Sequence, residues 1–189
     1  LLMQIKDGLT EDHLLISVVS GLGIGKIEEL IGKKVPVVRA MLNTAIRVRQ
    51  SMTFLAFSEE GQKYDSIVQE IFSSVGLVFY IEEKMFPEAT VLGGSGVALV
   101  LKFLRGYMQA GIQNGFNERE ALMIATQVLN GSSILIQTGG GHPEVEIDKA
   151  TTRKGCTIDA LNEMDHRGFT SSLLKAIKAG IKKARKLYS

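Results

Sequence analysis

Leu77-Val78-Phe79-Tyr80-Ile81-Glu82-Glu83-Lys84 is the stretch across which the chain changes character. Its first five residues are an apolar run, rich in β-branched and aromatic types, with the composition of a buried strand. Three earlier runs share that character, at residues 14–19, 35–40 and 52–57. Two helical patterns lie between them, Ile24–Ile31 and residues 63–74, the second with Ile67, Val68, Ile71 and Phe72 on one face. Strands alternating with helices predict a mostly parallel sheet with helical crossovers. After residue 83 no strand pattern recurs. Residues 83–111 read as one long helix, or as two that meet at Gly93-Gly94-Ser95-Gly96. Residues 118–137 read as another, with Asn117 as N-cap and Gly139-Gly140-Gly141 as its stop. Residues 157–166 and 170–188, broken at Gly168, complete the set. The expected fold class is therefore α/β over residues 1–83 followed by all-α over residues 84–189.

The 189 residues suffice for one large or two small domains, and 45% hydrophobic with 22% charged residues is ordinary globular composition. Disordered, collagen-like and disulfide-stapled classes are excluded. The single cysteine, Cys156, allows no internal disulfide and fits a reducing, cytoplasmic setting. The longest uncharged apolar-and-small run, residues 89–101, is short of the roughly twenty residues of a membrane helix, so no span is expected. Residues 1–10 carry no signal-peptide pattern. They also lack an initiator Met and a cap, so the chain reads as starting inside a domain. Residues 170–189 hold six bases and no acids, whereas the rest of the chain holds sixteen bases and twenty acids.

Four small residues inside residues 83–111 would each cost up to about 1 kcal/mol relative to alanine unless something packs closely against them. Close approach of another helix is the usual reason. Ala89, Val91, Leu92, Val97, Leu99 and Leu101 leave that helix no polar face. About 105 helical residues are few to enclose it, which points to a partner chain.

Gly21-Leu22-Gly23-Ile24-Gly25-Lys26 follows a strand and opens a helix, but its G-x-G-x-G spacing matches neither G-x-G-x-x-G nor a Walker loop. A plain strand-to-helix turn is favoured, although ligands do sit at such turns in open α/β sheets. His13, His142 and His166 are scattered, and no metal site is expected. Cys156 has no histidine within eight residues and reads as a bland loop cysteine. Its loop, Thr151-Thr152-Arg153-Lys154-Gly155-Cys156-Thr157, precedes a helix start. It fits equally an anion-binding N-terminus and a capped helix start with solvated bases. In residues 170–188 Leu173, Leu174, Ile177, Ile181, Ala184 and Tyr188 share one side. The bases opposite read as a solvated face. No stacking aromatics are interleaved, so neither nucleic acid nor membrane is expected as a partner.

Several of these segments resemble the pyrroline-5-carboxylate reductase family over essentially the whole chain. Ser17-Val18-Val19-Ser20-Gly21 resembles the family's strand ending in a small-small-Gly turn. Arg39-Ala40-Met41-Leu42-Asn43-Thr44-Ala45 resembles R-x-M-P-N-T-P, and Gly94-Ser95-Gly96 resembles the G-S-G-P-A-Y helix start. The most specific match is His142-Pro143, Asp148 and Thr151-Thr152-Arg153-Lys154-Gly155-Cys156-Thr157-Ile158, similar to H-P…K-D-x-V-T-S-P-G-G-T-T-I. Residues 43–46, 51–54 and 144–149 look closest to the branch found in Bacteroides-like bacteria.

The resemblance implies the C-terminal remainder of a Rossmann-type dinucleotide-binding domain followed by a helical dimerisation and substrate-binding domain. It implies an obligate homodimer that can assemble further, and hydride transfer from NADPH or NADH to 1-pyrroline-5-carboxylate, giving L-proline. Roughly 70–90 residues with the G-x-G-x-x-G unit are expected ahead of Leu1, so the chain alone is expected to dimerise but not to bind dinucleotide tightly or act. Gly155, Cys156 and Thr157 would hold the substrate carboxylate, with the Thr157 hydroxyl as the catalytic group near the ring nitrogen. Glu83 and Lys149 would line the substrate pocket. Val18, Val19, Ser20, Asn43 and Thr44 would shape the cofactor cleft. Leu42 and Ala45 replace two prolines of the pattern, Val97 and Leu99 replace a proline and a tyrosine, and Arg153-Lys154 replaces Pro-Gly in the substrate loop. The alternative is a non-catalytic or differently specific relative that keeps the helical dimer.

Overall fold

Residues 35–41 form an unbroken buried stretch, and the strand they feed is an inner strand of a four-stranded sheet. The computed structural model describes residues 1–139 and 141–188. In order it holds α1 (Leu2–Ile5), β1 (Leu15–Ser17), α2 (Ile24–Ile31), β2 (Val37–Met41), β3 (Ser51–Phe57), α3 (Asp65–Ser73) and β4 (Gly76–Tyr80). Then come α4 (Phe86–Ala89), α5 (Gly96–Gln113), α6 (Glu118–Gly139), α7 (Pro143–Ala150), α8 (Cys156–His166) and α9 (Phe169–Tyr188). The α/β part and the helical remainder stand in the expected order.

The strands lie in sequence order across the sheet. β1 and β2 are parallel, with Ser17 opposite Arg39. β3 and β4 are parallel, with Leu55 opposite Tyr80. β2 and β3 are antiparallel, with Met41 opposite Phe54. The mostly parallel expectation thus meets one reversal. Residues 42–50 are fewer than the dozen or so that a parallel crossover needs. They instead form a 3-10 turn, Thr44–Val48, closed by Arg49 at φ +58°. On one face of the sheet Ile24, Ile27 and Ile31 pack with Val35, Val37, Met41, Ala56 and Phe86. On the other, Val68 and Phe72 pack with Val38, Ala40 and Leu55. Ile67 and Ile71 of the predicted α3 face remain 51% and 46% exposed, so the buried stripe is narrower than expected.

Glu83–Gln113 is a continuous helical stretch of 31 residues with a π turn, Thr90–Gly94, at the predicted glycine cluster. The small residues there admit the sheet rather than a second helix. A Cβ on Gly93 would collide with the Phe54 ring, while Gly94 sits 3.6 Å from the Met41 sulfur by the same construction. By length and composition alone this stretch is long and apolar enough to cross a membrane, a test that the core helix of a soluble protein also passes. No residue of α5 is buried.

Asn117 caps α6 as predicted. Its Oδ1 accepts the Glu120 N–H (3.0 Å), and Glu120 Oε2 accepts the Asn117 N–H (3.1 Å). α6 runs to Gly139; Gly140, part of the predicted stop, lies outside the described residues. α7 was not anticipated. His142 Nδ1 caps it, Pro143 sits in its first turn, and Glu144 and Glu146 follow, a helix start written in caps rather than in apolar periodicity. Gly168, at φ +70°, makes the break before α9.

The chain forms two compact units, residues 1–97 with 176–189, and residues 98–175. In the first, α9 docks by Ala184, with Arg185 bridging to Glu88 and Gly180 against the Val91 side chain. Leu173 and Leu174, predicted on the docked side, are exposed.

Replacement of Gly93 by alanine should destabilise the protein by about 1–3 kcal/mol in urea melts, whereas Gly94→Ala should cost under about 1 kcal/mol, because only the first drives a methyl into a ring.

Candidate functional site

Because β1 and β2 run parallel, their carboxyl ends emerge side by side, and two connections leave them, residues 18–23 and 42–50. That is where open α/β sheets take ligands. The first connection places Val18 (57% exposed) and Val19 (54%) at the surface, with Ser20 also exposed. Two bare valines at a strand end leave apolar surface that a ligand can cover. Gly21 follows at φ +82°, and a Cβ there would strike the Leu187 carbonyl of α9. The turn is therefore held from below by the end of α9.

In the second connection Thr44 is exposed and Asn43 is buried. Asn43 Nδ2 donates to the Gly93 carbonyl (3.0 Å), its Oδ1 accepts the Ala45 N–H (3.0 Å), and its own N–H donates to Ser51 Oγ (3.3 Å). The structure thus brings Val18, Val19, Ser20, Asn43 and Thr44 to one end of the sheet. It commits the Asn43 side chain to clamping the π turn, so Asn43 shapes the cleft from behind.

Beneath these turns lies Arg39 of β2, 1% exposed. Its Nη1 donates to Glu83 Oε1 (2.8 Å), and the same oxygen accepts the Ile24 N–H (2.7 Å) at the start of α2. Glu83 therefore supplies the carboxylate that the uncapped α2 N-terminus lacks. The guanidinium lies over the Phe86 ring (4.0 Å) and the Tyr188 ring (5.1 Å). The Thr90 hydroxyl donates to the Phe86 carbonyl (2.7 Å), so in its contact with Tyr188 (2.9 Å) the phenol is the donor. Among the described residues Arg39 Nε and Nη2 have no partner. Arg39 is absent from the site residues expected from sequence. The signal was there: a permanent charge inside Val35-Pro36-Val37-Val38-Arg39-Ala40-Met41 demands a buried partner.

Beside Glu83 an open cleft of about 580 Å³ runs along Ile24, Leu55, Phe57, Tyr80 and Glu82. Tyr80 stacks on Phe57 (5.9 Å between centroids) and donates to Asp65 Oδ1 (2.7 Å). Partial burial and the adjacent carboxylate push the phenol up to about 12. A group raised from 10 to about 12 contributes stability fully below pH 10 and loses it as pH climbs towards 12.

In the second unit the predicted loop is a β-turn, closed by the Gly155 N–H on the Thr152 carbonyl (3.1 Å). Arg153 and Lys154 are its central residues, and Lys154 has φ +56°. Positive φ at the second central position is the pattern of a type II turn, which favours Pro-Gly. Gly155 then N-caps α8 without any side-chain cap, and Cys156 and Thr157 open the helix. Because the Gly155 N–H is taken by Thr152, the donors without an intrahelical partner at this end are those of Cys156, Thr157 and Ile158. Cys156 is exposed and free; Thr157 is half-buried. Lys149, in the last turn of α7, pairs with Glu146 (2.7 Å). Among the described residues no group of His, Cys, Asp or Glu is arranged to hold a metal.

Comparison with known proteins bears on this arrangement. The family model for pyrroline-5-carboxylate reductase dimerisation matches residues 83–187. Pyrroline-5-carboxylate reductase 1 of Dictyostelium discoideum is 40% identical over 100% of this chain and 36% of its own length. Pyrroline-5-carboxylate reductase 2 of the same organism is 35% identical over 98% of this chain and 67% of its own. The chain thus spans from about a third to two thirds of these relatives. The crystal structure of Plasmodium falciparum pyrroline carboxylate reductase with NADP bound superposes with a TM-score of 0.91 at 28% identity, covering 100% of this chain and 76% of that one.

The Asp65→Asn variant should bring the Tyr80 titration, followed by ultraviolet absorbance, down from about 12 towards 10.

Proposed function

The chain belongs to the pyrroline-5-carboxylate reductase family, and from that premise we propose that the protein carrying it reduces 1-pyrroline-5-carboxylate to L-proline. The observation that carries this reading is the uncapped start of α8 behind the turn of Thr152, Arg153, Lys154 and Gly155. Its Cys156 and Thr157 N–H groups suit a substrate carboxylate, and the helix dipole adds to them. The Thr157 hydroxyl, on the same turn, suits the ring nitrogen, where it would help deliver the proton that converts C=N to CH–NH. Glu83 has a substrate-binding role by resemblance alone, its Oε1 being taken by Arg39 and the Ile24 N–H. Lys149 would contribute less, being paired with Glu146.

NADPH or NADH supplies the hydride. The exposed Val18 and Val19 fit the nicotinamide end, Ser20 and Thr44 offer hydroxyls beside them, and Asn43 fixes the wall. Arg153 and Lys154 add positive potential that draws an anionic substrate in.

The proposal includes a homodimer that can assemble further. Its support is the dimerisation model and the bare apolar surface of α5 and α6, where Val100, Leu101, Leu122, Met123 and Leu135 stand about half exposed. A second copy accounts for that surface without lipid, and the basic face of α9 needs no nucleic acid. The domain boundary proposed at residues 83/84 lies beside the start of the family match at residue 83, whereas the compact units divide at 97/98 and 175/176. Free, exposed Cys156 suits the cytoplasm.

A second reading, a relative altered in specificity or lacking activity, is favoured by one observation, a lysine at φ +56° in the substrate loop. That conformation costs a non-glycine residue about 1–2 kcal/mol.

The test is NAD(P)H oxidation by the full-length protein with 1-pyrroline-5-carboxylate; turnover supports the first reading and its absence the second. Arg153→Pro with Lys154→Gly should raise kcat/KM, and Lys154→Gly alone should stabilise the protein by about 1 kcal/mol in urea melts. Unchanged or lower kcat/KM would reject the link between turn strain and catalysis.

A further inference from the structure

The turn that carries Val18, Val19 and Ser20 has few anchors of its own. Within it the Val19 N–H reaches Ser17 Oγ at 3.5 Å, the limit of a hydrogen bond. Its downstream end is fixed at two points. Gly21 lies against the Leu187 carbonyl, and the Ile24 N–H is bound by Glu83 Oε1 (2.7 Å). Glu83 is held in turn by Arg39 (2.8 Å). Tyr188, beside Leu187, lies over the same guanidinium. Both anchors therefore depend on one buried cation.

We propose that Arg39 is a positioning residue for the dinucleotide side of the site, acting through Glu83 and the end of α9 on the Val18–Val19–Ser20 turn. Three features suit it to that task. The cation is out of solvent, so its pull on Glu83 is only weakly screened. Two rings fix the plane of the guanidinium, and a lysine ammonium has neither the plane nor the fork to replace it. One oxygen of Glu83 serves both the cation and the helix start, so a displaced carboxylate moves α2 and the turn together.

The inference rests on the proposed cofactor role of Val18, Val19 and Ser20. The experiment measures NADPH affinity by fluorescence on the full-length protein, with turnover recorded separately. Arg39→Met should weaken NADPH binding roughly tenfold, Glu83→Gln should do the same, and the double variant should lose no more than either alone. Arg39→Lys should recover only part of the loss. Any rise in KM for 1-pyrroline-5-carboxylate in Arg39→Met should be matched by Glu83→Gln, because both variants disturb the same carboxylate. Val68→Ala, which opens the core on the opposite face of the sheet, provides the reference for plain destabilisation; its NADPH affinity should be unchanged at a comparable Tm loss. If Arg39→Met does not fold, Tyr188→Leu, which removes one ring, should weaken NADPH binding by itself.

Equal weakening in Val68→Ala, full recovery in Arg39→Lys, or additive losses in the double variant would overturn the proposal. Normal NADPH binding by the wild type without turnover would sink the functional reading and leave this one standing. No NADPH binding by the wild type would sink both.

Discussion

A guanidinium sealed inside a sheet has to be answered by a carboxylate, and the first unit is arranged around that requirement. Arg39 sits where β2 is otherwise wholly apolar, so desolvation of its charge would be prohibitive without Glu83. Glu83 is the first residue of the long helical stretch, and the bond therefore sets where that stretch departs from the sheet. The same oxygen starts α2. The rings of Phe86 and Tyr188 add two further segments, distant in sequence, to the same cation. Asn43 makes a second, neutral tie of the same kind, from the end of β2 to Gly93.

Much of this was legible in the residues. The four strands announced themselves as short apolar runs, although only β2 is buried along its whole length and β4 leaves Leu77, Phe79 and Tyr80 exposed, and Gly93-Gly94 marked the irregular turn in the long helix because glycine there has few other uses. The antiparallel reversal between β2 and β3 was missed although the short connection allows nothing else; periodicity finds strands but not their direction. α7 was missed because its helix start is written in His142, Pro143 and Glu144 while its apolar stripe is weak. The exposed Ile67 and Ile71 show that sequence marks an apolar face without saying how much of it the neighbours cover.

The site divided in the same way. The loop before α8 was legible because helix caps and turn formers act over a few residues. The occupation of the Gly155 N–H by Thr152 belongs to that local grammar, yet it needs the turn type to be known. Asn43, Glu83 and Arg39 take their roles from partners 44 to 59 positions away. No local pattern encodes a separation of that kind; only the register of β2 and the path of the helical stretch create it.

The first unit is assembled from residues 1–97 and 176–189. On the ribosome, the sheet and Glu83 emerge well before Leu187 and Tyr188 exist. During that interval Arg39 has its carboxylate and Phe86 but not the second ring, and the Gly21 turn has no floor. Synthesis therefore sets an order of events: the helical segment between must be made before the turn after β1 takes its final form. Nascent chains are thereby kept from completing the Gly21 turn before the segment that the family model associates with dimerisation has been made.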